Sequence, residues 1–392
     1  MRNRAIIIFL ALFSCFVLRA QTSMNYTEVN ERSLTLYNEG KWHELLVYGK
    51  QAINERQDFV ALRLRMGYAA CMEENYAEAL KHYEAVLQKD AYQETAHDFI
   101  RRCRIQLNQT ELAEHEQPFI NKASREKFHQ QSFGITQAAV ESGIKFTNIV
   151  GRENANYNRL EIGLRLGWNF HLTQSAVLYN QTISESKLIY VNNNISIPIN
   201  QKEYYVKLTA NINRHWQAKA VYHYLYTPFN NFTYNNQAAM IGIRHNGYKL
   251  NVQADALFAN LNDTSSQQYN FSLEYLPLGN NKIYSYTTAS LRVRNSENNF
   301  NFKQVLVCRL MKQAWLEGHA TLGGFQNYFE NDALYLYNAI DPTKWKAGAG
   351  VYVLLGNHLL LQAGFVFEQR VLFLTNNTFN QQSITGGLSW KF

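Results

Sequence analysis

The spacing of apolar residues changes once along this chain, near residue 130. Before that point, from residue 25 to 117, apolar positions recur on the stripe of an amphipathic helix, and no proline interrupts them. After it, apolar and polar residues alternate, the period of a strand with unlike faces. Leu160, Ile162, Leu164, Leu166, Trp168 and Phe170 fall on one face, against Glu161, Gly163, Arg165, Gly167 and Asn169. Tyr248, Leu250, Val252, Ala254, Ala256 and Phe258 do the same against Lys249, Asn251, Gln253 and Asp255. Trp216, Ala218, Ala220, Tyr222, Tyr224 and Tyr226 form a third row. A soluble sandwich alternates too. Aromatic residues gathered at segment ends, Trp168 with Phe170 and Trp390 with Phe392, favour the interfacial girdle of an outer-membrane barrel.

Turn residues divide the second part of the chain. Short breaks are expected at 171–174, 213–215, 245–248, 277–281, 311–313 and 355–358. Longer polar ones are expected at 150–156, 184–194, 228–235, 260–266, 295–299, 329–343 and 375–380. Six short and seven long connections join fourteen strands, with twelve or sixteen as the adjacent solutions. An even count returns both barrel ends to the short-turn side, which is periplasmic in outer-membrane barrels. The last strand alternates through Ile384, Gly386, Leu388, Trp390 and Phe392. Gly387, Trp390 and Phe392 resemble the terminal signal read by barrel-assembly machinery.

The helical part repeats itself. Trp42 and Tyr76 each follow a short polar turn and stand 34 residues apart, the period of a tetratricopeptide repeat. Gly67, Ala79 and Tyr83 occupy the positions where such repeats place small residues and an aromatic, so that two antiparallel helices approach closely. In the first unit Leu45 and Gly49 stand where the Ala and the aromatic would be, which makes that unit degenerate. A third helix, about 94–107, caps the stack. Fewer than three repeats need extra burial, so the barrel mouth or a periplasmic protein partner is expected to dock on them.

The start of the chain reads as an address. Arg2 and Arg4 precede an apolar run from Ala5 to Leu18, and Ala20 stands before Gln21, the make-up of a secretory signal peptide. No later segment is apolar over the roughly 18 residues of a transmembrane helix. The expected chain is therefore an α+β multidomain protein: signal peptide 1–20, periplasmic helical domain 24–118, linker 119–130, and outer-membrane barrel 131–392 bathed in lipid.

Charge sharpens this division. The net +7 is made of +3 in the signal, −3 over 21–130 and +7 over 131–392. Strand phase points Arg165, Lys207, Lys219, Arg244, Lys249 and Arg292 inward, with Glu161, Asp255, Glu274, Tyr284 and Tyr286. Two readings stand side by side: a wet lumen biased toward anions or glycan-like solutes, or charge ladders that plug a closed barrel. Arg101, Arg102 and Arg104 lie in an acidic segment and read as a solvated face or a salt-bridged cap, so no nucleic-acid partner is expected.

Catalytic motifs are missing: no His-Glu-x-x-His, Gly-x-Ser-x-Gly or Cys-x-x-Cys occurs. His223, and His319 near Glu317, are available acids or bases without a constellation. No enzyme activity, cofactor or metal is expected. Three cysteines follow the signal; Cys71 with Cys103 is one pairing in an oxidising compartment, and small buried thiols on helices are the favoured reading.

Signal peptide, helical repeats and a Tyr/Asn-rich barrel ending Gly387-Leu388-Ser389-Trp390-Lys391-Phe392 together resemble the YaiO-like outer-membrane barrel proteins. The layout is similar, more distantly, to the outer-membrane subunits of exopolysaccharide export systems. The resemblance implies an outer-membrane pore or envelope-assembly component whose periplasmic repeats dock a partner. A non-conducting scaffold of a secretion or surface complex is the alternative, and a barrel hydrolase a third.

Overall fold

The computed structural model describes residues 24–127, 131–185, 195–229, 232–294, 297–337, 340–373 and 375–392. The expected signal peptide lies outside them.

Five helices open the chain: α1 Tyr26–Asn38, α2 Trp42–Asn54, α3 Val60–Met72, α4 Tyr76–Lys89 and α5 Glu94–Gln106. The starts of α1 and α3, like those of α2 and α4, are 34 residues apart, so the sequence period is a structural one. The Asn25 and Asn75 side chains cap α1 and α4 by accepting from the Glu28 and Glu78 amides at 2.8 and 3.2 Å. Leu36, Leu45, Leu62, Met66, Leu80, Tyr83 and Ile100 fill the core between the helices. Gly67 lets the Tyr83 ring in; a Cβ there would stand 2.7 Å from it. Gly49 does the same for Met66, whose sulfur would meet a Cβ at 2.4 Å. The first unit is thus not merely degenerate: a methionine from the next helix takes the aromatic's place. Trp42 packs edge-on against Tyr37 and Tyr68 at 5.7 and 5.5 Å, Tyr76 packs against the core cluster, and Ala79 is buried within it. The stretch expected as a linker is partly helical. After α6 (Thr110–Ala113) come a 3-10 turn, Glu114–Phe119, and α7 (Lys122–Lys127).

The strands are β1 Phe133–Thr147, β2 Ala155–Leu166, β3 Phe170–Glu185, β4 Ile195–Asn211, β5 Trp216–Phe229 and β6 Phe232–Asn246. Next come β7 Leu250–Leu261, β8 Thr264–Tyr275, β9 Ile283–Arg294, β10 Glu297–Met311 and β11 Ala314–Phe325. A two-rung hairpin, β12 Phe329–Glu330 and β13 Tyr335–Leu336, precedes β14 Thr343–Leu355, β15 Leu359–Val371 and β16 Thr378–Lys391. All but β12 and β13 form one closed antiparallel barrel, the fourteen strands the alternation implies. β1 closes it on β16, with Gln137 opposite Lys391 and Thr147 opposite Gln381. The Phe392 amide adds a bond to the Thr136 carbonyl at 3.1 Å.

Turn positions differ in three respects. β2 stops at Leu166 and β3 starts at Phe170, so Trp168 lies in the turn and not in the outward row. Gly167 turns the chain there with φ +80°, a left-handed value that glycine adopts freely. Tyr248 and Lys249 likewise lie between β6 and β7. Three connections expected to be long contain only two residues, 230–231, 262–263 and 295–296. Asn262 and Asp263 have φ of 52° and 58°, the paired positive values of a type I′ hairpin.

The barrel is apolar outside. Leu160, Ile241, Phe258, Phe271, Leu306, Phe365 and Ile384 stay exposed on its outer wall. Amides that share this wall are satisfied by tyrosines: Tyr204 donates to Gln174 at 2.7 Å, Tyr224 to Asn235 at 2.7 Å and Tyr269 to Gln267 at 2.7 Å.

Candidate functional site: the barrel lumen

The helical domain sits across the barrel end that carries the turns 167–169, 212–215, 247–249 and 276–282. At the last of these the Ala77 amide donates to the Gly279 carbonyl at 3.1 Å, and the Asn280 side chain donates to the Glu74 carbonyl at 2.9 Å. Gly279 has φ +69°, and a Cβ would stand 2.9 Å from the Ala77 Cβ. Only glycine fits this contact.

Under the mouth lies a buried charge network. Arg104 donates to Glu84 at 3.0 Å and to Gln109 at 2.6 Å, and its side chain is fully buried. Glu84 also accepts from Tyr248 at 2.6 Å and pairs with His215 at 3.4 Å. Gln109 reaches Asn251 at 3.1 Å. Glu116 is held between His97 at 2.6 Å and Arg214 at 2.8 Å, and Glu114 pairs with Arg165. The arginine cluster is therefore split: Arg101 and Arg102 bind Asp98 near the surface, whereas Arg104 is a central element of the helix–barrel joint. Sequence reading missed it because an arginine two residues from the exposed Arg102 gives no sign of burial.

From the opposite end, the long connection after β11 dips into the barrel. Asp332, at the tip of the β12–β13 hairpin, accepts from Lys219 at 2.9 Å and Gln253 at 2.8 Å, and pairs with Lys207 at 3.4 Å. Tyr205 donates to the Asp332 carbonyl at 3.0 Å, and His223 Nδ1 to the Ala333 carbonyl at 2.7 Å. His223 Nε2 faces Glu203 at 3.0 Å. Gln268 brackets Phe329, donating to its carbonyl at 2.8 Å and accepting from its amide at 3.0 Å. Phe329 and Ala333 pack on an apolar patch of Val221, Met240, Leu257 and Leu261. Glu330 pairs with Lys346 at 2.7 Å. Two inward lysines read as an anion site thus already hold a carboxylate of the same chain.

Beside the hairpin, along the wall made by β14–β16 and β1–β4, runs a cavity of about 410 Å³. Its lining carries six carboxylates and six Lys or Arg side chains, together with Tyr157, Tyr179, Tyr335, Tyr337 and Tyr352. The charges come largely in pairs: Arg159 with Glu141 at 2.9 Å, Arg370 with Glu368 at 3.1 Å, Arg152 with Asp341 at 2.7 Å. Tyr157 donates to Glu141 at 2.6 Å, and Gln362 donates to the same carboxylate at 2.7 Å. His319 pairs with Glu317 at 3.2 Å, which also accepts from Tyr352 at 3.3 Å.

None of the eleven residues that strand phase points inward lines this cavity. Lys207 and Lys219 hold the hairpin, and Asp255 accepts from Gln253 beside them. Arg165 joins the barrel to the helical domain, and Arg244 pairs with Glu274. Lys249 is outside the lumen, donating to the Pro277 carbonyl at 2.9 Å from an exposed turn. Arg292 is buried on β9, Tyr286 lies opposite Glu274, and Tyr284 packs against the helical core. Gly387 sits against Gln362, Trp390 stacks on His358 at 5.5 Å, and Phe392 is exposed. Among the described residues no group of three His, Cys, Asp or Glu side chains is placed to hold a metal.

No family model and no curated protein sequence matches the chain. Among solved structures, the toluene transporter TodX of Pseudomonas putida is similar at 7% identity, TM-score 0.47, over 65% of this chain and 89% of that one. A FadL homologue of Pseudomonas aeruginosa is similar at 8% identity, TM-score 0.44, over 71% and 92%. A bacterial polysaccharide outer-membrane secretin is similar at 9% identity, TM-score 0.38, over 66% and 98%. Likeness at this level is too slight to carry an argument about substrate or role.

Proposed function

We propose that this chain is an outer-membrane barrel that rests closed, a gated pore whose hairpin must leave the lumen before a solute can pass. The apolar outer wall supports the membrane location, since a closed barrel leaves no backbone group unpaired in lipid. The gate reading is carried by Asp332 clasped between Lys207 and Lys219 inside the barrel. The cavity beside the hairpin is the proposed solute site. Its charges balance, and tyrosines offer both an apolar face and a hydroxyl, so a glycan-like solute suits it better than a simple anion. In this reading the helices face the periplasm as tetratricopeptide-type repeats. They dock an envelope partner, for which Tyr26, Leu34 and Val47 on α1 and α2 remain exposed. The terminal strand ending Gly387, Trp390 and Phe392 would be read by the barrel-assembly machinery.

Planar-bilayer recording of the refolded chain tests this directly. Wild type should be silent, and a chain with 328–337 replaced by a short Gly/Ser linker should conduct. Steady conductance in wild type would overturn the closed resting state. Silence of both proteins would favour a second reading, the non-conducting scaffold, which the helical domain across the other mouth already supports.

A further inference from the structure

Two thiols distant in sequence meet in the helical core. The Sγ atoms of Cys71, next to the end of α3, and Cys103, in the last turns of α5, are 3.6 Å apart across a separation of 32 residues. Cys103 is fully buried and Cys71 half-buried. The third thiol, Cys308, is on strand β10 of the barrel, so the pair has no competing partner within its own domain. Sequence alone favours two inert buried thiols; their placement in the fold argues otherwise.

We propose that Cys71 and Cys103 form a disulfide stapling α3 to α5. Closing to the bond length of about 2.05 Å needs the sulfurs to approach by roughly 1.5 Å, within reach of side-chain rotation. The route begins at Cys71, the accessible thiol. Its thiolate attacks a disulfide donor, such as oxidised glutathione or a disulfide-exchange protein, forming a mixed disulfide and releasing one donor thiol. The Cys103 thiolate then displaces the second donor thiol. Two electrons pass to the donor and its two sulfurs leave as thiols carrying the two protons.

The closed loop contains α4 and the turn before it, and therefore Glu74, Ala77 and Glu84, which hold the barrel mouth. A domain with fewer than three repeats gains most from such a link, because it removes freedom from the unfolded chain. The cross-link keeps the docking residues in register whether or not a partner is bound. In the cell its oxidant depends on the export reading above; its geometry does not.

The test uses the refolded full chain in a glutathione buffer, unfolded in maleimide and mapped by mass spectrometry. Of Cys71, Cys103 and Cys308, only Cys308 should be labelled, and a peptide pair joining 71 to 103 should appear 2 Da lighter than its reduced form. In Cys103→Ser, a glutathione adduct should accumulate on Cys71. Dithiothreitol should speed proteolysis within 24–118 of the wild type by about tenfold or more, without affecting Cys71→Ala/Cys103→Ala. Labelling of both Cys71 and Cys103 after oxidation would overturn the proposal, and so would a dithiothreitol effect equal in the double variant. Alkylation in intact cells separates the two readings: a pair that oxidises in vitro but is found reduced in cells counts against export, not against the disulfide.

Discussion

Acid–base contacts tie the chain together at both ends of the barrel, but the two sets are built differently. At the helical end, the Arg104, His97 and Glu116 side chains have no exposed surface, and each meets two polar partners. At the other end, Asp332 is 17% exposed, its lysines are long and flexible, and the hairpin has only two rungs beside an open cavity. Burying ions without water makes a joint costly to break and slow to reform. Ions that keep some exposed surface can exchange one partner for water. One closure is a floor, and the other is a door.

Single substitutions can break that contrast. Arg104→Met leaves Glu84 buried without its main partner and should cost about 3–5 kcal/mol. Hydrogen exchange at the helix–barrel joint would read this loss. Acid should weaken the helical domain next. Burial, with Arg63 at 3.1 Å, drives the His82 pKa down from 6.5 to about 4. The unfolded chain then binds a proton that the folded one refuses. The His82 contribution to stability should be constant above pH 6.5 and fall by about 2–3 kcal/mol as the pH drops toward 4. Thermal melts of wild type and His82→Gln across this range should diverge only below pH 6.5, and a parallel pair would refute the assignment.

Asp332→Ala should have a smaller cost, about 2 kcal/mol, because the long Lys207 and Lys219 side chains keep some exposed surface and can turn to other partners such as Gln253. Exposure of a cysteine placed at residue 334 to a water-soluble maleimide is the measurement. If Asp332→Ala cost as much as Arg104→Met, the distinction between floor and door would fail. Gly67→Ala forces a Cβ toward the Tyr83 ring, itself stacked on Phe99 at 4.9 Å, and should destabilise the helical domain by about 1–2 kcal/mol. Loss of the helical signal at lower urea, with the barrel transition unmoved, is the outcome expected.

Strand number and closure were legible because a barrel wall obeys one rule everywhere, apolar outward and polar inward. Turn lengths were less so. Asn235, Asn236, Ser265 and Ser266 look like loop residues, yet they lie on β6 and β8. In a barrel with a polar interior, composition does not separate the rim of a strand from a loop. The hairpin was hidden for another reason. Lys207 and Lys219 follow strand phase, but their partner Asp332 comes from a connection with no phase at all. A signal was present in Ala333-Leu334-Tyr335-Leu336, an apolar run too greasy for an exposed loop. The floor's Glu84–Arg104 pair joins two helices and a barrel turn, an arrangement that no local pattern encodes.

The seam between β1 and β16 sets an order of events. Gln137 and its partner Lys391 are separated by nearly the whole barrel sequence, so their pairing is the contact made over the longest loop, and such contacts form late. The helices rely on near neighbours and, lying before the barrel in the chain, are made first. A finished helical floor would be waiting as each successive turn arrives: Asn169 meets His115 at 2.7 Å, Asn211 donates to the Glu111 carbonyl at 2.7 Å, and Tyr248 and Gly279 follow in sequence order. The part of the molecule that lies across the mouth in the mature protein would, during its birth, be the jig on which the wall is bent into a ring.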